Sequence, residues 1–247
     1  MGSKRLPGKV LMELNGMPVL ERVYKRCQMA STIDRVIVLT SVEESDAPIV
    51  DFCNKNGLEY FRGPLNDVLK RYWDAVDYYK LENFIRVTAD CPLIEPSILD
   101  CLNIGGISNS YDYYGLFGNF PDGLDCTFIS RRALNDARIH AKLPSEREHV
   151  GPYIEKRLNS YKHNELKLFE SHLNYRLTLD TYQDAELISQ VLLALERNTK
   201  NEFNINEVLR FLDKNPEIYA INKSIIRNEG YQISLEREKN FHLKKWS

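Results

Sequence analysis

Two hydrophobic periods alternate through the first hundred residues, and that alternation limits what the chain can fold into. Val19, Leu20, Val23, Tyr24 and Cys27 recur at helical spacing behind Pro18, which predicts a helix from about 18 to 28. RVIVLTS (35–41) follows, a short, β-branched, almost wholly apolar run of the kind a buried parallel strand requires. The pattern then repeats as a helix near 46–56, a strand at 58–63 (LEYFRG), a helix near 66–80 and a strand at 84–90 (FIRVTAD). Strands alternating with helices imply βαβ units, hence an α/β fold whose mostly parallel central sheet is covered by helices on both faces. Past residue 100 the pattern loosens. Strands are expected at 125–130 and 174–180, with helices near 146–158, 181–197 and 204–213.

At 247 residues, one substantial core is the economical expectation: an α/β domain over 1–200 with a helical C-terminal extension over 201–247. Thirty-three bases against thirty-five acids leave a net charge of -2, so no basic footprint for nucleic acid or a membrane face is present and any polyanion must be met locally. Five cysteines, never closer than ten residues, read as reduced, mostly buried thiols. With no apolar run of 18 residues and no signal peptide, the expected protein is soluble and cytoplasmic, with neither nucleic-acid nor membrane partners.

In open α/β sheets, ligands bind beyond the carboxyl ends of the strands. Thr40 and Ser41 lie past the first run, Asp90 past FIRVT, and Asp180 past YRLTL. Two strand-end aspartates suit Mg²⁺ held jointly with substrate phosphates, although Asp after a strand also serves as a helix cap. The opening MGSKRLPGK combines two glycines, a stiffening proline and the donors Ser3, Lys4, Arg5 and Lys9. It is not a Walker loop, since Val10 follows Lys9, and alone it reads equally as a solvated basic tail.

The string MGSKRLPGKVLMELNGMPVLERVYKRC resembles the start of the cytidylyltransferase family that activates sugar acids, particularly its spore coat polysaccharide and acylneuraminate branches. The resemblance continues in family order through RGPLNDVLKRYWDA (62–75), RVTADCPLIEP (86–96), FPDGLDCTFIS (120–130), SEREHVGPYI (145–154) and RLTLDTYQDAELI (176–188). It implies a Rossmann-like nucleotide-diphospho-sugar transferase fold and Mg²⁺-dependent transfer of CMP from CTP to a sugar acid, with release of pyrophosphate, for surface polysaccharide. By the same resemblance Gly2, Ser3, Arg5, Leu6, Pro7, Gly8 and Lys9 form the triphosphate loop, with Arg5, Lys9 and Asp90 carrying the chemistry. Asp90 and Asp180 are the implied metal ligands, and Thr40 and Ser41 lie near the base. Arg86 approaches the phosphates or sugar, or serves a salt bridge. Asp125, Glu146, Arg147 and His149 make the acceptor side, with packing or capping the other role open to His149.

Relatives open with an apolar strand directly before the Met-Gly-Ser that starts this chain, and Thr127 stands where many carry an acidic residue. The expectation is that the chain as given is less stable than one with that strand restored. A sugar nucleotidyltransferase or glycosyltransferase using another nucleotide, and a non-catalytic homologue, are the alternative functions. Aromatics in NPEIYAINKSIIRNEGYQISL and the final KKWS are candidates for a homodimer interface or for packing the extension.

Overall fold

Asn15 and Gly16 both adopt the left-handed backbone region, at φ 50° and 73°, and so turn the chain tightly between β1 (Glu13–Leu14) and β2 (Met17–Pro18). The computed structural model describes residues 1–3, 5–116, 120–196, 201–227 and 229–244. Lys4 and residues 245–247 of the tail lie outside them. After the hairpin come α1 (Val19–Gln28), β3 (Val38–Ser41), α2 (Ala47–Asn56), β4 (Tyr60–Gly63), α3 (Val68–Tyr78), β5 (Asn83–Val87) and α4 (Pro96–Ser108). The chain continues through β6 (Tyr113–Gly115), β7 (Cys126–Ser130), α5 (Arg131–His140), α6 (Pro144–His149), α7 (Pro152–Glu155) and β8 (His163–Glu165). It ends in α8 (Tyr182–Leu195), α9 (Ile205–Lys214), α10 (Pro216–Tyr219) and α11 (Glu229–Lys244).

The α/β alternation expected from the hydrophobic periods is present, but the strand pairing is mixed rather than mostly parallel. β3 and β4 pair in parallel, from Val38 opposite Tyr60 to Ser41 opposite Gly63. A second ladder runs β5-β7-β6-β8, in which β7 is antiparallel to both neighbours and only β6 and β8 run parallel. β6 and β8, like α4 and α5, were not among the elements expected from sequence. β6 is only three residues long, too short for a periodic signal.

One face of the second ladder sends Ile85, Val87 and Phe128 into the larger core with α1, α4, α8 and α9. The other sends Phe84, Ile129 and Tyr113 into a smaller core under α3, α5 and α7. Helix α9 shows how pattern becomes packing. Ile205, Val208, Leu209 and Leu212 fall on one stripe and are buried, each contributing roughly 1.5–3 kcal/mol, while Asn204 caps the first turn by accepting from Glu207 N. This docks 201–214 onto the domain, and two buried arginines of α1 reinforce it. Arg26 donates to the carbonyls of Ile94, Asn201 and Phe203, and Arg22 to the Leu14 carbonyl, Glu196 and Asn201.

Two expected elements come out differently. The 146–158 helix breaks into α6 and α7 at Val150, whose φ of 68° no right-handed helix accepts, and Pro152, with no N–H to donate, opens α7. The expected strand at 174–180 is extended but joins no ladder. Its Leu177 and Leu179 amides donate to the carbonyls of Asp122 and Asp90, in the loops flanking β7 and β5, so loops take the place of a partner strand. All five cysteines are free thiols, and Cys101 alone is exposed. Among the described residues, no helix is long and apolar enough to cross a membrane.

Candidate active site

The zipping of 177–180 against the two loops brings Asp90 and Asp180 together. Leu179 N donates to the Asp90 carbonyl at 2.8 Å and Thr178 Oγ1 to the same oxygen at 3.2 Å, so the two aspartates sit on crossing segments fixed by backbone bonds. Lys9 reaches them from the opening loop, where Gly8 at φ 72° turns the chain into a short 3₁₀ turn over Lys9–Leu11. Its Nζ lies 2.7 Å from Asp90 Oδ2 and 2.7 Å from Asp180 Oδ1. Arg5 closes on Asp180 Oδ2 at 3.0 Å and also pairs with Glu229 at the start of α11.

Burial works against the charge on Lys9, but the two carboxylates outweigh it and raise its pKa. Burial likewise pushes Asp180 up, and Lys9, Arg5 and Arg176 together bring it below the usual carboxylate range. Lys9 and Asp180 thus hold each other in the ionised form at the centre of the site.

Beneath this pair lies a hub that the sequence did not reveal. Arg176, almost fully buried, donates Nη1 to Asp122 at 2.8 Å, Nε to Asp184 at 2.8 Å, and Nη2 to Asp180 and Asp184 at 3.1 Å. Asp184 also accepts from the amides of Asp180 and Thr181 and from Asn222, so it fixes the backbone that carries Asp180. Thr181, not Asp180, caps α8, which leaves the Asp180 carboxylate free to face the loop. Asp122 is pushed up to about 6, by burial first and then by the neighbouring Asp125, against the pull of Arg176 and Arg227. Arg227 stacks on Phe120, 4.5 Å from the ring centre, and donates to its carbonyl.

The rest of the opening loop is structural support. Leu6 is fully buried in the larger core and Ser3 Oγ accepts from Leu6 N at 3.2 Å, while Pro7 is exposed and Gly2 faces open space. Thr40 and Ser41 do end β3 as expected, but their hydroxyls are buried and turned to Asp46 Oδ2, at 3.2 and 2.7 Å. A ligand at this strand end is offered neither hydroxyl.

On the acceptor side the expectations divide. Glu146 is buried, accepts from the amides of Lys142 and Leu143, and pairs with Arg157. Arg147 grips Asp67, at 2.5 and 3.0 Å, and the carbonyls of Arg138 and Ala141. Arg147 thus ties α6 to the start of α3 and the end of α5, while Glu146 closes the first turn of α6 on itself and on Arg157. His149 packs edge-on to Tyr231 and shares a 3.0 Å hydrogen bond with Ser234 of α11; burial lowers its pKa. Asp125, whose pKa burial raises, accepts from Gly123 N at 2.9 Å.

Among the described residues, no three His, Cys, Asp or Glu side chains form a ready metal cage. Asp90 and Asp180 are two convergent carboxylates, suited to a hard cation whose remaining ligands come from elsewhere. A cleft of about 390 Å³ between 168–172 and α9 shares no residue with this cluster.

Several known proteins share this architecture. An uncharacterised protein of Methanocaldococcus jannaschii is 34% identical over 94% of both chains. The spore coat polysaccharide biosynthesis protein SpsF of Bacillus subtilis is 30% identical over 88% of this chain and 92% of its own. Among solved structures, a cytidylyltransferase from Leptospira borgpetersenii superposes with a TM-score of 0.85 at 31% identity, covering 92% of this chain and 95% of that one. A CMP:2-keto-3-deoxy-manno-octonic acid synthetase complexed with CTP shares the fold at 15% identity and a TM-score of 0.59, over 78% of this chain and 95% of its own. Residues 1–225 match the cytidylyltransferase family over nearly the whole sequence, and the chain belongs to that family of nucleotidyltransferase enzymes.

Proposed function

We propose that the enzyme transfers CMP from CTP to a hydroxyl of a sugar acid and releases pyrophosphate, in the synthesis of a surface polysaccharide. One observation carries this reading: a loop lysine and two strand-end aspartates meet at a single point, with Lys9 Nζ 2.7 Å from each carboxylate. Kinship with SpsF supports the polysaccharide role. The same reading puts the enzyme in the cytoplasm, with CTP.

The acceptor hydroxyl forms a bond to the α-phosphorus, the bond from that phosphorus to the bridging oxygen of pyrophosphate breaks, and the hydroxyl proton leaves. Such chemistry needs positioning and charge neutralisation, not a protein nucleophile. Lys9 and Arg5 swing from their carboxylate partners to the triphosphate and neutralise the charge that grows on pyrophosphate. Asp90 and Asp180 fit Mg²⁺, because they already converge on one cation through hard oxygen donors. Bound there, Mg²⁺ supplies charge neutralisation at the phosphoryl oxygens. Arg176 and Asp184 hold Asp180 in place, and His149 and Asp125 line the acceptor side.

The test is pyrophosphate release from CTP, UTP, ATP, GTP and dTTP, each with a panel of sugar acids, with MgCl₂ or with EDTA. Thermal shifts for each nucleotide are measured alongside, since a ligand at about a hundred times its Kd stabilises by about 2.7 kcal/mol. CTP-selective, Mg²⁺-dependent binding and turnover is the expected result. Preference for another nucleotide overturns the CTP assignment, and binding without turnover on any acid overturns transfer to a sugar acid.

A further inference from the structure

Arg86 belongs to none of the charge networks described above. The buried arginines are all engaged: Arg22, Arg26 and Arg176 each donate to three or more acceptors, whereas Arg86 is half-buried. Arg86 Nε is buried without an acceptor, and among the described residues no hydrogen bond or ion pair reaches its guanidinium. Arg22 Nε and Arg71 Nε are likewise without an acceptor, but the Arg22 guanidinium is held through its other nitrogens and Arg71 lies against Gly63 at the end of β4. Leaving such a group unsatisfied costs stability, which marks Arg86 for an external partner.

The pleat of the sheet tells where Arg86 sits. On β5 it alternates with Ile85 and Val87, which enter the larger core, so it shares the opposite face with Phe84. Across the ladder, Phe84, Ile129 and Tyr113 make one apolar row, and Arg86, Thr127 and Gly115 make the next. That second row ends the core. Gly115 contributes no side chain, and Thr127 only a hydroxyl and a methyl, where an acidic side chain would have paired with Arg86 across the strands. The nearby titratable groups that feel Arg86 are Asp125 and His149, both expected on the acceptor side, and Tyr113 in the smaller core. His149 carries no negative charge to offer it, and Asp125, whose pKa burial raises, makes no ion pair with it.

We propose that Arg86 binds the carboxylate of the acceptor, so that the Arg86–Thr127–Gly115 row is the anion-reading floor of the acceptor subsite. The proposal rests on the sugar-acid reading above and moves Arg86 from the nucleotide to the acceptor. One guanidinium without a second base matches a monoanion, which it can grip with two parallel N–H bonds. The several charges of a triphosphate are matched instead by Arg5 and Lys9 in the opening loop.

The test uses the full chain labelled with ¹⁵N-arginine. The Arg86 Nε signal is assigned by its absence in Arg86→Lys and titrated with pyruvate, the smallest 2-keto carboxylate, with acetone as the neutral counterpart. The expected result is a saturable shift with pyruvate and none with acetone, and at least tenfold weaker pyruvate binding in Arg86→Gln, whose CTP thermal shift stays at the wild-type value. The Arg86→Gln far-ultraviolet circular dichroism and melting curve establish that the variant is folded. No saturable shift overturns the proposal. Displacement of pyruvate by CTP, or loss of CTP binding in folded Arg86→Gln, also overturns it and returns Arg86 to the nucleotide. Failure of the wild-type chain to bind CTP overturns the transferase reading alone, because the pyruvate titration is scored without nucleotide.

Discussion

Replacing Arg176 with Met removes the hub beneath the site while keeping most of its volume. Three carboxylates lose a buried partner, but not equally. Asp180 keeps Lys9 and Arg5, and Asp184 keeps Asn222 and two backbone amides, whereas Asp122 is left with Arg227 at 3.9 Å. Breaking a buried ion pair from one side costs about 3–5 kcal/mol, and that is the expected loss at pH 8. The loss depends on pH through Asp122. Its folded pKa, about 6, already exceeds the unfolded value of about 3.9, so the folded state holds the proton more tightly and stability falls as pH rises across that interval. Without Arg176 that pKa climbs further and the fall extends to higher pH. Acidification therefore narrows the gap between variant and wild type, by about 1.4 kcal/mol for each unit that the pKa climbs.

Equilibrium urea denaturation at pH 8 and pH 5 reads this directly. The deficit should be at least about 1 kcal/mol smaller at pH 5, and adding Asp122→Asn to the variant should recover part of it at pH 8. A deficit below about 1 kcal/mol, or one equal at both pH values, would show that Arg176 does not compensate buried charge and would sink this account of the site.

Gly123 sits at φ 97° with room for no side chain: a Cβ would lie 2.4 Å from the backbone of Leu177 and Thr178. Gly123→Ala should cost about 3 kcal/mol or more and lower Tm by about 6–12 °C in calorimetry, and an unchanged Tm would mean that the 121–125 loop does not press on 177–178 as described. Glu229 holds Arg5 at the surface, so Glu229→Gln should change stability by less than about 0.5 kcal/mol yet lower KM for CTP at low salt; a raised KM would place Glu229 among the groups that assist binding.

How much of this was legible follows from what each residue's neighbours owe to sequence distance. The helices α1, α2, α3, α8 and α9 were readable because a 3.6-residue apolar stripe is local information. Asp90 and Asp180 were readable as candidates because each follows an apolar run, but what joins them is the Leu179–Asp90 backbone bond, since 174–180 enters no ladder. The break between α6 and α7 was not readable, since it rests on the left-handed backbone of Val150, a residue type that rarely adopts it. Arg176 and Asp122 were not, because 54 residues separate them and only the folded chain makes them a pair. The same limit hides the partner of Arg147: the motif is visible in sequence, but Asp67 lies 80 residues away.

The geometry around Lys9 also bears on how nucleotide and metal binding are linked. Lys9 occupies the point on which Asp90 and Asp180 converge, so its ammonium and a divalent cation compete for the same oxygens. When Lys9 turns to a triphosphate it leaves two carboxylates side by side, which a cation then stabilises; when it stays, the carboxylates are already neutralised and a cation gains little. Each ligand should therefore strengthen the other, by the same factor in both directions. Lys9→Met separates this from the mere affinity of Mg²⁺ for phosphate in solution. With its ammonium gone, the pair should bind Mn²⁺ in the absence of any nucleotide, detected as loss of the free-ion electron paramagnetic resonance signal, at least tenfold more tightly than wild type. The same variant should lose CTP turnover by about a hundredfold, since one charge-matched donor at a reacting phosphate contributes on that scale. Equal Mn²⁺ affinity in the two proteins would mean that Lys9 does not compete at the metal position, and Asp90 and Asp180 would then have to be read as the anchor of a phosphate-binding lysine rather than as ligands.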